Sequence, residues 1–263
     1  MSDTGSSTPE SHYRCNDCLV SADYFVVLAA MRTGSNLLQS NLNQFKDIVC
    51  LGELFNRAFV GINIPGKSNK PIAGYGRDDV ALRNRDVMLF FDRIYAEMPG
   101  NVFGFRMFRG QSDKLLDIVL HNRNCRKVVL RRNALDSFIS LQIAGKSDKW
   151  LSRNPDRIQD VRVRFSMKKF LQYLEENEQF YSHCQAVIDT TGQTAFAIRY
   201  EQIKDPLELN RLARFLGGRH EKAKFREKIY KQTLPGLEQK VVNYAAMVQS
   251  LKDAGLYQDY ISN

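Results

Sequence analysis

No segment of this sequence stays apolar for the roughly 20 residues that a bilayer-spanning helix requires, so the chain reads as a soluble cytoplasmic protein with no stable membrane insertion. Residues 1–22 also lack the basic start and apolar core of a secretion signal; rich in Ser, Thr, Asp and Pro, they read as a mobile tail. Cysteine is scarce. Cys15 and Cys18 form a lone Cys-x-x-Cys with no second pair at metal spacing, and Cys50, Cys125 and Cys184 stand singly, which points to ordinary reduced thiols and to no metal site. Basic blocks and basic stripes interleaved with aromatics are missing too, so nothing tracks a nucleic-acid strand. No glycine-framed loop ends in Lys-Ser or Lys-Thr, which removes the usual cradle for a triphosphate and its magnesium.

What remains is a chain of 263 residues, 43% hydrophobic, with a formal charge of +9. The apolar content suffices for one α/β domain over residues 23–263, and the positive balance favours a small anionic ligand. Apolar runs at residues 25–29, 47–51, 102–108, 127–131 and 194–200 read as strands. Helical spacing predicts helices over residues 86–98, 112–121, 132–140 and onward, and 165–187, with a helical C-terminal region broken near residues 217–218 and 235–236. Strands alternating with helices through short turns predict a mostly parallel central sheet with helices on both faces, and ligands of such sheets sit at the carboxyl ends of strands.

Three of those strand ends carry polar chemistry. At the first, Arg32, Thr33, Gly34, Ser35 and Asn36 lie between the strand at residues 25–29 and a run with Leu38, Leu42 and Phe45 at helical spacing. Gly34 lets the backbone pass close to a ligand, Ser35 is placed to cap the helix, and the first-turn N–H groups face an anion. Arg32 adds a planar fork of donors suited to a short phosphate or sulfate held without a metal. Taken alone, the loop is equally an ordinary strand-turn-helix.

At the second strand end, Gly52-Glu53-Leu54 sets a carboxylate where active-site groups sit; its plainer alternative is a partner for Arg32 or for a helix start. The excursion at residues 57–85, rich in Gly, Pro, Asn and charge, reads as a substrate lid. At the third, Arg131 and Arg132 precede Asn133, a good helix cap, with Asp136 three residues on. Leu135, Phe138 and Ile139 share one side of that helix, while Ser137 and Ser140 fall on the other, which is expected to stay open. Arg106 and Phe108 read equally as acceptor lining, as core packing or as part of a surface ion pair, and the lone Trp150 as a core residue or a platform for a sugar ring.

Together, the first and third loops resemble those of sulfotransferases that use 3′-phosphoadenosine 5′-phosphosulfate. In that family a basic residue, a hydroxyl residue, Gly and a second hydroxyl residue hold the 5′-phosphosulfate; Arg32, Thr33, Gly34 and Ser35 match, with Asn36 beside them. An Arg and a Ser eight residues later hold the 3′-phosphate; Arg132 and Ser140 match. Arg rather than Lys in the first loop is similar to the bacterial carbohydrate branch, which includes nodulation-factor and trehalose sulfotransferases. There a Gly-Glu-Leu segment supplies the proposed base, and Gly52-Glu53-Leu54 aligns with it. Tyr200, followed by Glu201 and then Asp205-Pro206, resembles a family segment whose Tyr lies near the nucleotide.

The resemblance, over about residues 24–206, implies a P-loop-like α/β fold and an enzyme. It implies metal-free in-line transfer of a sulfuryl group from 3′-phosphoadenosine 5′-phosphosulfate to a hydroxyl of a carbohydrate or glycolipid. Glu53 is the implied base and Arg32 the implied stabiliser of the departing phosphate. The implied partners are the anionic nucleotide donor and the hydroxyl acceptor, with room for a homodimer. Two family features are missing. The catalytic His of the phenol and steroid enzymes has no counterpart among His12, His121, His183 and His220, which read as surface or capping residues, and the C-terminal Arg-Lys-Gly nucleotide loop is not there. The competing readings are a P-loop-like small-molecule kinase or NTPase, which needs a magnesium site, and a non-catalytic nucleotide-binding module, which has no use for Glu53.

Overall fold

In the computed structural model, which describes residues 18–62, 71–147, 161–226 and 236–261, the chain begins with α1 (Cys18–Ser21), β1 (Tyr24–Ala29), α2 (Ser35–Leu42) and β2 (Ile48–Cys50). Next come α3 (Val80–Arg85), α4 (Val87–Ala96), β3 (Val102–Phe108), α5 (Asp113–His121), β4 (Cys125–Arg131), α6 (Ala134–Ser147) and α7 (Met167–Thr190). The chain continues with β5 (Ala195–Arg199), a 3-10 turn (Tyr200–Lys204), α8 (Pro206–Phe215), α9 (Leu237–Lys240), α10 (Tyr244–Asp253) and α11 (Tyr257–Tyr260).

All five strands pair in parallel, in the order β2-β3-β1-β4-β5. β1 can take the middle because both of its faces are apolar. Val26 and Leu28 pack on one side with Phe90, Phe91 and Phe105, while Phe25, Val27 and Ala29 pack on the other with Leu38 and Leu42 of α2 and Leu209 and Leu212 of α8. Parallel strands covered by helices on both faces read as unbroken hydrophobic runs rather than as alternation, which is what YFVVLA is. Each fully buried Phe here contributes about 1.5–3 kcal/mol. Close packing sets one glycine: a Cβ on Gly104 of β3 would lie 2.4 Å from the Phe25 ring, so Gly104→Ala would force the two strands apart.

The expected P-loop-like sheet with helices on both faces therefore forms, and the helical C-terminal region adds a third cluster in which Leu135 and Phe138 of α6 meet Phe170 of α7 and Met247 and Leu251 of α10. The chain goes from β1 to β2 and β3 on one side of the sheet and then crosses to β4 on the other. That reversal puts the topological switch point at the carboxyl end of β1, the usual ligand position in such sheets.

Boundaries shift where caps decide them. Asp86 and Ser112, expected as first residues of their helices, are N-caps instead, accepting from the amides of Leu89 at 2.9 Å and Leu115 at 3.3 Å. The expected tail ends in α1, where Cys18 and Leu19 are buried and the Cys18 amide donates to Asp92 at 2.7 Å; the polar composition of the stretch hid this apolar turn. Residues 1–17, with His12 and Cys15, and Trp150 lie outside the described residues. Within residues 71–85 of the expected lid, Ile72 and Tyr75 join the main core and Arg83 is buried. No helix among the described residues is long and apolar enough to cross a membrane.

Candidate active site

The loop after β1 turns on two left-handed residues, Arg32 at φ 67° and Gly34 at φ 92°. A positive φ is uncommon outside glycine and marks a turn that the surroundings hold in place. The Thr33 hydroxyl closes the turn by donating to the Ala30 carbonyl at 2.8 Å. Ser35 is not the helix cap expected of it. Gly34 occupies that position without a side-chain cap, and Ser35 is the first helical residue, its Oγ accepting from Arg106 Nη1 at 3.0 Å. A buried guanidinium needs acceptors, and Ser35 supplies one. With no side chain capping α2, the first-turn N–H groups, including that of half-buried Asn36, keep the arrangement that receives an anion.

The loop after β4 meets this one directly. Arg32 Nε donates to Ser140 Oγ at 3.0 Å, and Arg132 Nη1 donates to the Arg32 carbonyl at 3.1 Å. The Arg132 guanidinium lies 4.1 Å from the centre of the Tyr200 ring and reaches Asp136 at 3.3 Å. Tyr200 covers the first loop as well, since a Cβ on Gly34 would lie 2.4 Å from its ring. Arg32, Gly34, Arg132, Ser140 and Tyr200, predicted from separate stretches of sequence, are thus one cluster. Burial pushes the Arg32 pKa down, and the like charge of Arg132 pushes it further, while Tyr200 acts the other way. The Nε atoms of Arg132 and Arg106 are buried donors without a partner among the described residues. Crowded guanidiniums with unused donors suit an anionic ligand.

Glu53 follows β2 and is linked to Ser35 through Arg106. Its Oε2 accepts from Asn56 Nδ2 at 2.6 Å and from Gln111 Nε2 at 2.8 Å, and its Oε1 lies 3.9 Å from Arg106 Nη2. The partner is therefore Arg106, not Arg32 and not a helix start. Arg106, only 4% exposed, joins Ser35 of the first loop to Glu53 through one guanidinium. Burial lowers its pKa, opposed first by Glu53 and then by Cys50, whose own thiol burial pushes up to about 12.

The backbone around Glu53 is clamped from the excursion. The Gly61 amide donates to the Glu53 carbonyl at 3.0 Å, and a Cβ at Gly61 would lie 2.3 Å from the Glu53 nitrogen. Arg83 of α3 reaches back to the carbonyls of Leu54 and Asn56, each at 2.8 Å, and of Phe59 at 3.3 Å.

Three supporting residues carry no signal in the sequence. Gln111 and Arg83 carry no periodic signal, while Arg106, a candidate from the sequence, lies inside the apolar strand VFGFRMF and faces Glu53 from a buried position. Tyr181 of α7 hydrogen-bonds Ala30 and Leu130, at the ends of β1 and β4, across 151 and 51 residues of sequence. One expectation about α6 fails. Ser137 is not on an open side but is buried, where the Tyr173 hydroxyl of α7 faces it and Asn177. Those two α7 groups belong to the helix that packs against α6, so the side left polar by the sequence is covered. Phe108 is buried and packs in the second core cluster. His121 and His183 are half-exposed and face Asp117.

No protein-family model matches the chain. Nodulation protein H of Rhizobium tropici is 24% identical to it over 234 residues, covering 87% of this chain and 89% of the relative. A solved sulfotransferase from Alicyclobacillus acidocaldarius aligns with 92% of this chain and 96% of its own, at 14% identity and a TM-score of 0.48. The sulfotransferase domain from the curacin biosynthetic pathway aligns with 83% and 82%, at 13% identity and a TM-score of 0.44.

Proposed function

We propose that this chain, a sulfotransferase, takes its sulfuryl group from 3′-phosphoadenosine 5′-phosphosulfate and passes it to a hydroxyl of a carbohydrate or glycolipid, with Glu53 as base. The observation that carries the proposal is the meeting of the two loops, through the Arg32–Ser140 and Arg132–Arg32 hydrogen bonds, at the carboxyl ends of β1 and β4. A single anion loop serves many proteins; two facing each other suit one ligand with anionic groups at both ends.

The donor supplies a sulfuryl group activated by its bond to phosphate. Arg32 and the N–H groups of Gly34, Ser35 and Asn36 hold the 5′ end and stabilise the charge that develops as that bond breaks. Preorganised donors of this kind contribute about 3 kcal/mol each. Arg132 and Ser140 hold the 3′-phosphate, where a charge-assisted hydrogen bond is worth about 1.5–3 kcal/mol. Binding thus exchanges the internal Arg32–Ser140 hydrogen bond for stronger ones to an anion. Tyr200, stacked on Arg132 and against Gly34, borders the nucleotide. Because guanidinium groups neutralise the phosphate, the scheme calls for no metal.

Glu53 receives the proton of the acceptor hydroxyl, a role typically worth a factor of about 10² to 10⁴. Asn56, Gln111 and Arg106 orient it, and Arg106 ties it to the loop that carries Ser35. The carbohydrate acceptor follows the bacterial branch that the Arg32 loop resembles. Transfer of labelled sulfate onto a panel of sugars, glycolipids and phenols tests it. Label on a sugar or glycolipid is the expected result, and label on phenols alone would refute the acceptor assignment.

A further inference from the structure

β1 and β4 pair in register up to Ala29 and Leu130. Beyond that rung the chains part, one toward Arg32 and the other toward Arg132. At the fork stands the hydroxyl of Tyr181 from α7, accepting the Ala30 N–H at 2.9 Å and donating to the Leu130 carbonyl at 2.8 Å. Those two backbone groups are the next ones the ladder would use, so the hydroxyl replaces the missing rung.

The site gives water little access: Tyr181 is 5% exposed, Ala30 2% and Leu130 0%. The ring is held in turn by the Arg131 guanidinium, 4.2 Å from its centre, and Arg131 is paired with Glu178 on the same helix at 3.4 Å. Burial pushes the phenol pKa well up, so the hydroxyl stays a proton donor to Leu130 at any ordinary pH. Ala30 and Leu130 each lie two residues before a proposed anion ligand, Arg32 on one chain and Arg132 on the other.

We propose that Tyr181 is a positioning residue that sets the distance between the two anion loops, so that the two phosphates of one nucleotide are bound together rather than independently. It reaches no ligand itself and acts through the backbone of Ala30 and Leu130. The inference rests on the donor assignment made above. Two linked sites gain over the same two sites unlinked only while their separation fits the ligand. Without the hydroxyl, the buried Ala30 N–H and Leu130 carbonyl lose their partners, and the loops relax to recover hydrogen bonds.

Calorimetric titration of the wild-type protein and Tyr181→Phe with three probes tests this. Adenosine 5′-monophosphate and adenosine 3′-monophosphate each engage one loop, and adenosine 3′,5′-bisphosphate engages both. The monophosphates should bind Tyr181→Phe within about twofold of wild type, while the bisphosphate weakens roughly tenfold. A buried tyrosine with only a structural role would change all three affinities alike or none of them, and either outcome overturns the proposal. Tyr173→Phe removes the same group from the same helix at a position where the hydroxyl faces the Ser137 and Asn177 side chains rather than the fork. It should keep the wild-type pattern; if it copies Tyr181→Phe, the effect does not belong to the fork and the proposal fails. Wild-type protein that binds none of the probes would bring down the donor assignment and this inference with it. Unchanged bisphosphate binding in Tyr181→Phe would leave the donor assignment standing and remove the coupling alone.

Discussion

Around the loops after β1 and β4, Arg32 and Arg132 crowd together with Asp136 nearby, and Arg132 keeps a buried donor that has no acceptor among the described residues. Around Glu53 the balance is reversed: a carboxylate is held by Asn56, Gln111 and Arg106, while Gly61 and Arg83 fix its backbone. The first region has spare capacity for negative charge, and the second holds one group still. A ligand-binding half and a reacting half make those different demands, since binding exchanges internal contacts for external ones and proton transfer depends on a fixed orientation. Arg106 is the side chain that touches both regions.

Substitutions that act on one half and spare the other test this division. The largest effect is expected for Glu53→Gln, which keeps the side chain's size while removing its charge. Turnover should fall by about 10² to 10⁴ in a sulfate-transfer assay, with donor affinity held within about twofold. Full turnover would end the division by removing its reacting half. Next comes Arg132→Ala, which should weaken adenosine 3′,5′-bisphosphate by about 1.5–3 kcal/mol, or roughly 10- to 100-fold, in calorimetry. Arg123→Ala, which removes an exposed charge in the turn before β4, at the opposite end of that strand, is the comparison. An equal loss there would mean that general positive charge, not the Arg132 position, is responsible.

A smaller effect is expected for Arg83→Met, which keeps an apolar stem and removes the hydrogen bonds to the carbonyls around Glu53. Stability to urea should drop by about 1–3 kcal/mol, and kcat should fall more than the affinity for the bisphosphate. Matching losses in both would show that the two halves are not separable. The smallest concerns Glu176 of α7, whose pKa is held below the usual range by its hydrogen bond from Arg109 and then by Gln172. A carboxylate depressed in the folded state stabilises fully above its unfolded pKa of about 4.3 and loses that contribution as pH falls through the lower folded value. Wild type should therefore exceed Glu176→Gln in stability at pH 6, by little because the Glu176 side chain is 39% exposed, and the gap should close in more acid solution.

The two regions also differed in how far the sequence disclosed them. The cation half was legible because each part is local: an apolar strand, a turn with Gly34 and a helix start repeat after β4 with Asn133, whose side chain accepts from the Asp136 amide as its position suggested. Glu53 itself was visible at a strand end, but its supports were not. Gln111 lies 58 residues away and Arg83 reaches back 27 and 29 residues to single carbonyls, contacts that no periodicity announces. The long helix α7 was readable as a helix, yet nothing local reveals that Tyr181 stands at the fork of β1 and β4. Ser137 failed for a related reason: amphipathic spacing marks one apolar side of α6 but does not say that α7 covers the other.

Thermal melting of the wild-type protein with adenosine 3′,5′-bisphosphate, against ATP with magnesium, tests the central claim most directly. A ligand that binds only the folded state at 100 times its dissociation constant adds about 2.7 kcal/mol of stability. If the loops after β1 and β4 hold the two ends of one donor, the bisphosphate raises the midpoint by several degrees and ATP with magnesium leaves it nearly unchanged. An equal or larger shift with ATP and magnesium, or no shift with the bisphosphate, would contradict the account.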